Sequence, residues 1–266
     1  MPFFFADFMT WGPDPEIVKL GPLAIRYYSL LFVAGLLLGH KVWMNQSVRL
    51  GYDYAISDKW LAWAVVAVVA GSRLGHCFFY EPLYYLKNPL QILMVWKGGL
   101  ASHGATIGIL TAIGLYARRY GQSYLSIVDR MGMPVAIAAT AVRLGNFMNS
   151  EIVGRVSDVP WAMHFPRYAD HGAQARHPSQ LYEAAMGMTI FAVLYLVDRF
   201  MKDEGRRQGI LAGLLLGLYF SGRFFVEYFK EYQSLSPSFP LTMGQMLSFP
   251  FALGGLAVFI LALNGR

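Results

Sequence analysis

The stretch Leu61-Ala-Trp-Ala-Val-Val-Ala-Val-Val-Ala70 contains no polar side chain at all. It lies inside a longer apolar run, about 58–79, and a run of roughly 20 such residues is what crosses about 30 Å of hydrocarbon as a helix. Six further stretches of similar character lie at about 24–44, 99–117, 124–148, 179–199, 209–229 and 242–263. The composition agrees: of 266 residues, 56% are hydrophobic and 14% charged, with a mean hydropathy of +0.40. A soluble domain averages about 45–50% apolar and about 25% charged. The expected fold is an all-α integral membrane protein, a single polytopic domain over residues 1–266 with about seven transmembrane helices. The third span is the weakest, because Gly98, Gly99, His103, Gly104 and Gly108 interrupt it. The pairs Gly35/Gly39, Gly71/Gly75 and Gly213/Gly217 place small residues four apart, which suits close helix packing in lipid.

Several classes are excluded at this stage. A lone cysteine, Cys77, rules out an intrachain disulfide framework and a multi-Cys zinc site. The net charge of +6 comes without a basic run or an RNA-reading motif, so nucleic acid is not an expected partner. His164, His171 and His177 lack metal-ligand spacing, and neither a G-x-S-x-G elbow nor a glycine-rich phosphate loop is present. No metal and no cofactor are expected. The Phe/Pro-rich start, Met1 to Pro22, has interfacial aromatics but no positive region ahead of an apolar core, so it does not read as a cleavable signal peptide.

Two connections exceed simple turns. Residues 80–98 carry Tyr80, Tyr84, Tyr85 and Trp96 and read as an aromatic interfacial arm, whereas 149–178, the longest polar stretch, reads as a small extracytoplasmic cap. Orientation follows the Lys and Arg near span ends. With the N-terminus outside, eleven of the 22 basic residues fall on the cytoplasmic side, including Arg118/Arg119, Lys202, Arg206/Arg207 and Arg266. Setting aside Arg73, Arg143 and Arg223, which fall within spans, leaves eight elsewhere. An N-out, C-in arrangement is favoured.

Charged groups at the bilayer centre cost roughly 2.5–3.5 kcal/mol on insertion scales and so face the bundle interior. Here Arg73 and His76 fall in the second span, His103 in the third, Arg143 in the fourth, and Arg223 with Glu227 in the sixth. The densest constellation runs Arg143-Leu-Gly145-Asn146-Phe-Met-Asn149-Ser150-Glu151-Ile-Val-Gly154-Arg155. An arginine fork beside amide donors suits a phosphate or carboxylate, which it grips with two parallel bonds. The competing reading is an Arg143–Glu151 ion pair that pins the helix to its exit loop. Tyr219, Arg223 and Glu227 recur every four residues and share a helix face. There, an anion contact by Arg223 competes with an intrahelical Arg–Glu pair. Within Ser102-His103-Gly104, the histidine is a candidate base titrating near neutrality. His76 is its main competitor and His40 a weaker one. His177-Pro-Ser-Gln-Leu-Tyr-Glu183 reads as a helix start, with Glu183 near the positive dipole end.

The run from Arg143 to Gly154 closely resembles the signature of the bacterial prolipoprotein diacylglyceryl transferases. The likeness covers almost the whole chain and includes Arg26-Tyr-Tyr28, Gly71-Ser-Arg73-Leu-Gly75, Ser102-His103-Gly104, His177 to Glu183, and Gly222-Arg223 with Glu227. Ala105 and Leu144 depart from the usual pattern conservatively. The resemblance implies transfer of the diacylglyceryl group of phosphatidylglycerol to the lipobox cysteine of a prolipoprotein signal peptide, with glycerol 1-phosphate leaving. It implies a bacterial inner-membrane location with the active site towards the periplasm, and membrane lipids and the preprolipoprotein as partners. His103, Arg143 and Arg223 become the expected catalytic residues. Tyr28 (with Tyr27 as the less favoured choice), Gly104, Asn146, Glu151, Gly154, Tyr219 and Glu227 become the expected substrate-binding positions. Glu151 and Glu227 are expected to orient the arginines. The alternative function is a transporter or binding protein for an anionic lipid or solute; against it, the halves of the chain show no inverted repeat.

Overall fold

The computed structural model describes residues 8–21, 23–201, 207–231 and 239–265. Residues 1–7 and Pro22 of the aromatic start lie outside the described residues, as do Lys202, Arg206 and Arg266 of the orientation count. The protein is mostly helical. In chain order it has β1 (Met9–Thr10), β2 (Glu16–Leu20), β3 (Leu23–Arg26), α1 (Tyr27–Arg49), α2 (Tyr54–Asp58), α3 (Trp60–Phe79), α4 (Pro82–Lys87), α5 (Ser102–Tyr120) and α6 (Tyr124–Met148). There follow β4 (Met163–His164), β5 (Ala175–Arg176), α7 (Ser179–Phe200), α8 (Ile210–Val226) and α9 (Met243–Leu263).

Among the described residues, six helical segments are long and apolar enough to span a membrane: Tyr27–Arg49, Tyr54–Phe79, Tyr124–Met148, Ser179–Phe200, Ile210–Phe229 and Met243–Leu263. The chain is thus a multi-pass membrane protein. The third expected span does form a helix, α5, of 19 residues. Its glycines, hydroxyls and terminal Arg118-Arg119 dilute its apolarity, so six of the seven expected spans stand out by length and composition and α5 does not. The first span also starts later than the expected residue 24. Residues 23–26 pair as β3 with β2, Arg26 opposite Glu16 and joined to it at 2.9 Å, so Arg26 stands outside the helix.

The chain divides into two compact units, residues 44–130 and residues 1–43 with 131–266, the divisions falling inside α1 and α6. Within 44–130, α3 and α5 cross where neither carries a side chain. A Cβ on Gly75 would lie 2.6 Å from the Gly104 Cα, and one on Gly71 would strike the Gly104 carbonyl. One end of this pair is closed by Trp60, Trp63 and Tyr120 around the buried Tyr116, whose hydroxyl donates to the Ile56 carbonyl at 2.7 Å. Gly121, at φ +63°, ends α5 in the left-handed conformation that favours glycine. At the other end, residues 80–98 form α4 and two 3₁₀ turns, with Pro82 and Pro89 each at a helix start, where proline's missing N–H costs nothing. Arg73 of α3 fastens this arm by donating to the Gln91, Ile92, Gly98 and Gly99 carbonyls, and its guanidinium stacks over the Tyr85 ring at 5.0 Å. The donors of Arg73 are thus committed to backbone.

In the other unit, Met133, Ala136, Ile190, Leu194 and Leu211 form the buried core between α6, α7 and α8. Gly213 and Gly217 of α8 lie against Phe259 and Gly255 of α9, and Gly35 of α1 meets Ala141 of α6. All three small-residue pairs noted in the sequence are close-contact positions. Residues 149–178 fold through the three-stranded β1-β4-β5 sheet. Trp11 stacks on Phe147 at 4.2 Å and donates to its carbonyl at 2.9 Å, so this aromatic of the N-terminal stretch packs inward rather than lying free at an interface.

Because Gly104 meets backbone on two sides, Gly104→Leu should separate α3 from α5 and destabilise the protein by about 1–3 kcal/mol, the usual penalty of overpacking. The melting temperature of the purified protein in detergent would show this, and an unchanged melting point would mean that the crossing is loose.

Candidate active site

The strongest concentration of charge in the unit formed by 1–43 and 131–266 gathers around Glu183. Helix α7 begins at Ser179, directly after Pro178, and one turn later places Glu183 at 3% exposure. Its carboxylate lies 3.1 Å from Arg143 Nε of α6, 3.8 Å from Arg223 Nη1 of α8 and 3.6 Å from Lys230 Nζ. Lys230, itself buried, also lies 3.7 Å from Glu227 Oε2. Three cations and two carboxylates thus share one pocket of low dielectric, leaving one net positive charge. Arg143 and Arg223 each keep guanidinium N–H groups with no acceptor among the described residues, and both remain partly accessible. Such donors, held at fixed positions, suit a phosphate or carboxylate ligand.

The geometry reassigns several partners. Neither the Arg143–Glu151 pair nor the Arg223–Glu227 pair forms: both arginines turn to Glu183 instead. Glu151, expected to orient an arginine, accepts from Asn146 Nδ2 and Asn149 Nδ2, each at 3.1 Å. Asn146 thereby spends one of its two amide N–H groups on Glu151 and is left with a buried Oδ1 that has no partner among the described residues. Glu227 pairs with Lys230, and Gly244 must be glycine there, because a Cβ would meet the Glu227 carboxylate at 2.5 Å. The Tyr219 ring packs on the Met133–Leu211 core cluster, one turn before Arg223. Tyr28 lies flat along Gly145, within 2.6 Å of where a Cβ would stand, whereas Tyr27 is exposed.

The segment after α6 is wound tightly to reach this place. Ser150 and Ile152 hold φ of +56° and +55°, rare for residues with a Cβ and rarest for a β-branched one. Bonds from α7 maintain the strain, since Ser179 Oγ donates to the Ile152 carbonyl at 3.0 Å and Gln180 Nε2 to the Glu151 carbonyl at 2.7 Å. Gly154 then passes between His177 and Phe229, where a Cβ would collide with backbone oxygens of both at 2.5–2.6 Å. Its neighbour Arg155 donates through Nε to the Lys230 carbonyl at 2.7 Å. Gly154 therefore locates Lys230 by close backbone packing. Arg176 ties the same region down through Asp170 at 2.8 Å and Glu231. Burial pushes the Asp170 carboxyl up, but the bonds from Arg176 and the Gly172 N–H, with the guanidinium charge, outweigh it and hold the group below its ordinary value. For Arg176, burial works against the charge and the two carboxylates prevail, raising it. Burial alone pushes the His177 imidazole down, its Nδ1 lying 2.9 Å from the Tyr182 hydroxyl.

His103 and Gly104 belong to the unit formed by 44–130. His103 stands on the first turn of α5, its ring edge-on to Phe79 at 5.0 Å and tilted over Tyr80 at 5.7 Å. Its Nε2 is buried without a hydrogen-bond partner. Gly104 occupies the α3–α5 crossing, a packing position. The rival base, His76, is stacked on Tyr80 at 5.6 Å.

A sequence model described as prolipoprotein diacylglyceryl transferase matches residues 15–261. This chain belongs to the prolipoprotein diacylglyceryl transferase family. A relative from Tolumonas auensis, named phosphatidylglycerol–prolipoprotein diacylglyceryl transferase, is 41% identical over 96% of this chain and 97% of its own. Proteins of the same name from Chloroherpeton thalassium and Porphyromonas gingivalis are 40% and 37% identical, over 94% and 97% of this chain and 93% and 95% of theirs. Two residues of this family member's charged cluster escaped the sequence reading. Glu183 had a sufficient local explanation as a partner for the helix dipole. Lys230 was legible in principle, because Arg223, Glu227 and Lys230 continue one helical face at steps of four and three.

Replacing Glu183 by Ala should leave three cations without their common counter-charge and cost about 3–5 kcal/mol, as breaking a buried ion pair does. Chemical denaturation in detergent measures this, and a loss below 1 kcal/mol would mean the cluster is solvated. The depressed Asp170 carboxyl predicts an acid limb as well. Its stabilising contribution is complete above the ordinary carboxylate value of about 3.9 and is lost as pH falls through the lower folded value. Melting curves taken down through this range should fall for the native chain, while Asp170→Asn, weaker at neutral pH, should fall less steeply.

Proposed function

We propose that this protein transfers the diacylglyceryl group of phosphatidylglycerol to the lipobox cysteine of prolipoproteins, the first step of lipoprotein maturation. The observation that carries this reading is the Glu183 cluster, in which two intramembrane arginines keep unspent donors, within a family whose named members perform that reaction. The cysteine sulfur attacks the saturated glyceryl carbon bonded to the phosphate. That C–O bond breaks, glycerol 1-phosphate takes the electron pair, and the thiol proton passes to a base. A thiol of pKa about 8.5 reacts only as thiolate. His103 is assigned that proton, since its Nε2 has no protein partner. The departing phosphate gathers negative charge in a medium where water screens little, and fixed guanidinium donors are worth most there. Arg143 and Arg223 hold it, Glu183 keeps them in place, and Tyr28, Asn146, Glu151, Gly154, Tyr219 and Glu227 shape the surroundings. Gly104 contributes by letting α5, and with it His103, pack against α3.

The site is assigned to the periplasmic side of the bacterial inner membrane, with the N-terminus outside and the C-terminus cytoplasmic, because the paired arginines Arg118/Arg119 and Arg206/Arg207 then lie inside. On this arrangement residues 149–178 are a periplasmic cap and residues 80–98 an interfacial arm.

Purified protein supplied with phosphatidylglycerol and a lipobox peptide should release glycerol phosphate only when the peptide cysteine is intact. Folded, lipid-loaded protein that releases none would overturn the assignment. Arg143→Ala should lower the rate by at least about a hundredfold, the scale of losing one transition-state donor. His103→Gln should abolish transfer while leaving the protein folded, and a rate near that of the native chain would remove His103 as the base.

A further inference from the structure

The arm walls a second polar pocket, lined by none of the residues assigned to the transfer step. It lies within residues 44–130, has a volume of about 360 Å³, and is lined chiefly by Arg73, His76, Glu81, Tyr85, Gln91 and Lys97. Arg73 gives it a buried, permanent charge at 3% exposure, with the guanidinium held rigid by four carbonyl bonds. Lys97 extends from the second 3₁₀ turn and spends one donor on Gln91 Oε1 at 3.0 Å, leaving the rest of its ammonium for a ligand. His76 stands between Tyr80 at 5.6 Å and Tyr85 at 6.1 Å. Gly99 admits the ring to the wall, because a Cβ would lie 2.6 Å from His76 Nε2 and 2.8 Å from Arg73 Nη1. Facing these cations, the Glu81 carboxylate caps nothing in α4 and is exposed.

The surroundings say at what depth the pocket sits. Leu83, Leu86, Leu90, Leu93 and Trp96 project outward from the same arm, each more than 70% exposed. A contiguous apolar surface of this kind on a membrane protein belongs in lipid at the interface, with Trp and Tyr at headgroup level. A polar pocket roofed by such an arm therefore opens among lipid headgroups.

The lining selects a chemistry. Lys97, with the fixed charge of Arg73 behind it, favours a phosphate monoanion or dianion. Glu81 repels a bare phosphate but accepts hydrogen bonds from hydroxyls, and the Gln91 amide can serve the same hydroxyls. A phosphate bearing a glyceryl diol satisfies both sets at once. We propose that the arm pocket is a binding site for the glycerophosphate group, taken either from the headgroup of an anionic lipid or as free glycerol phosphate. It deepens the transferase reading and rests on it, since glycerophosphate is both the headgroup of the donor lipid and the species released. Tyr80 packs on both His76, which lines this pocket, and the assigned base His103.

Direct binding separates this inference from the reaction itself. Titration calorimetry of the full chain in detergent with sn-glycerol 1-phosphate, and native mass spectrometry from nanodiscs of phosphatidylglycerol or phosphatidylethanolamine, probe the two sources. Lys97 is exposed, so Lys97→Ala should fold normally and weaken the binding event it serves by about tenfold, the scale of one charged hydrogen bond. Glu81→Gln should narrow the preference for glycerol 1-phosphate over inorganic phosphate. Dependence on Lys97 for the free phosphate assigns the pocket to the released species, and dependence for retained phosphatidylglycerol assigns it to the lipid. Binding of both probes that is indifferent to Lys97→Ala would overturn the inference, even in a protein that transfers normally. A protein that binds through Lys97 but fails the transfer assay would instead sink the transferase reading.

Discussion

A single buried carboxylate organises the charged half of this protein. Glu183 enters the bundle one turn into α7, which starts where Pro178 ends the preceding segment, and three cations from α6, α8 and the chain beyond α8 converge on it. None of the three could be held alone in a membrane interior at tolerable energy. Sharing one acid, with Glu227 as a second, makes their burial possible. It also explains why the contacts are long, at 3.6 and 3.8 Å for two of them. A carboxylate divided among three partners cannot bond ideally with each, and the arginines keep donors for something else. Tight bidentate pairing would have made a better structural clamp and a poorer anion site.

The helices can place these groups because they approach closely, and in lipid close approach requires small residues rather than a hydrophobic driving force. Gly71, Gly75, Gly104 and Gly108 let α3 and α5 cross with backbone against backbone, which fixes the first turn of α5 and the histidine on it. Gly213, Gly217 and Gly255 do the same for α8 and α9, and so hold the helix that ends in Arg223. The glycine inside the long signature, Gly154, has a similar function in a different setting. It passes between two backbone strands after a turn that forces Ile152 to a positive φ, a conformation tolerable only because α7 bonds the segment on both sides.

How much of this could be read from the residues alone depended on whether the cause was local. The long apolar runs, the small-residue pairs and the proline-started arm are set by near neighbours, and they fell where the pattern put them. Apolarity alone marks six of the seven expected spans, because a helix such as α5 can persist through glycine and serine in a packed crossing while losing the apolarity that marks a span. Ion pairing was the least legible. Sequence spacing offers Arg143 a partner in Glu151 and Arg223 one in Glu227, and both are geometrically reasonable. The partner that both arginines take, Glu183, lies on another helix, and no spacing rule connects positions 143, 183 and 223. Arg73 shows the same limit from the opposite direction: no spacing rule foretells that an intramembrane arginine spends its donors on the backbone of a loop some twenty residues further on.

The contrast between Arg73 and the pair Arg143 and Arg223 bears on how an intramembrane charge should be interpreted. Insertion cost is common to all three and so cannot distinguish a structural arginine from a functional one. What distinguishes them is how the donors are spent. Arg73 places its guanidinium nitrogens on carbonyls and its face on a tyrosine ring, so its donors are spent on dipoles and its geometry serves the arm. Arg143 and Arg223 reach only one carboxylate oxygen each, at the edge of bonding distance for Arg223, and remain partly accessible. A charge that is only half-compensated yet partly accessible leaves room for an anion to complete it. The unspent donors, more than the mere presence of arginine, therefore point to a phosphate-bearing substrate.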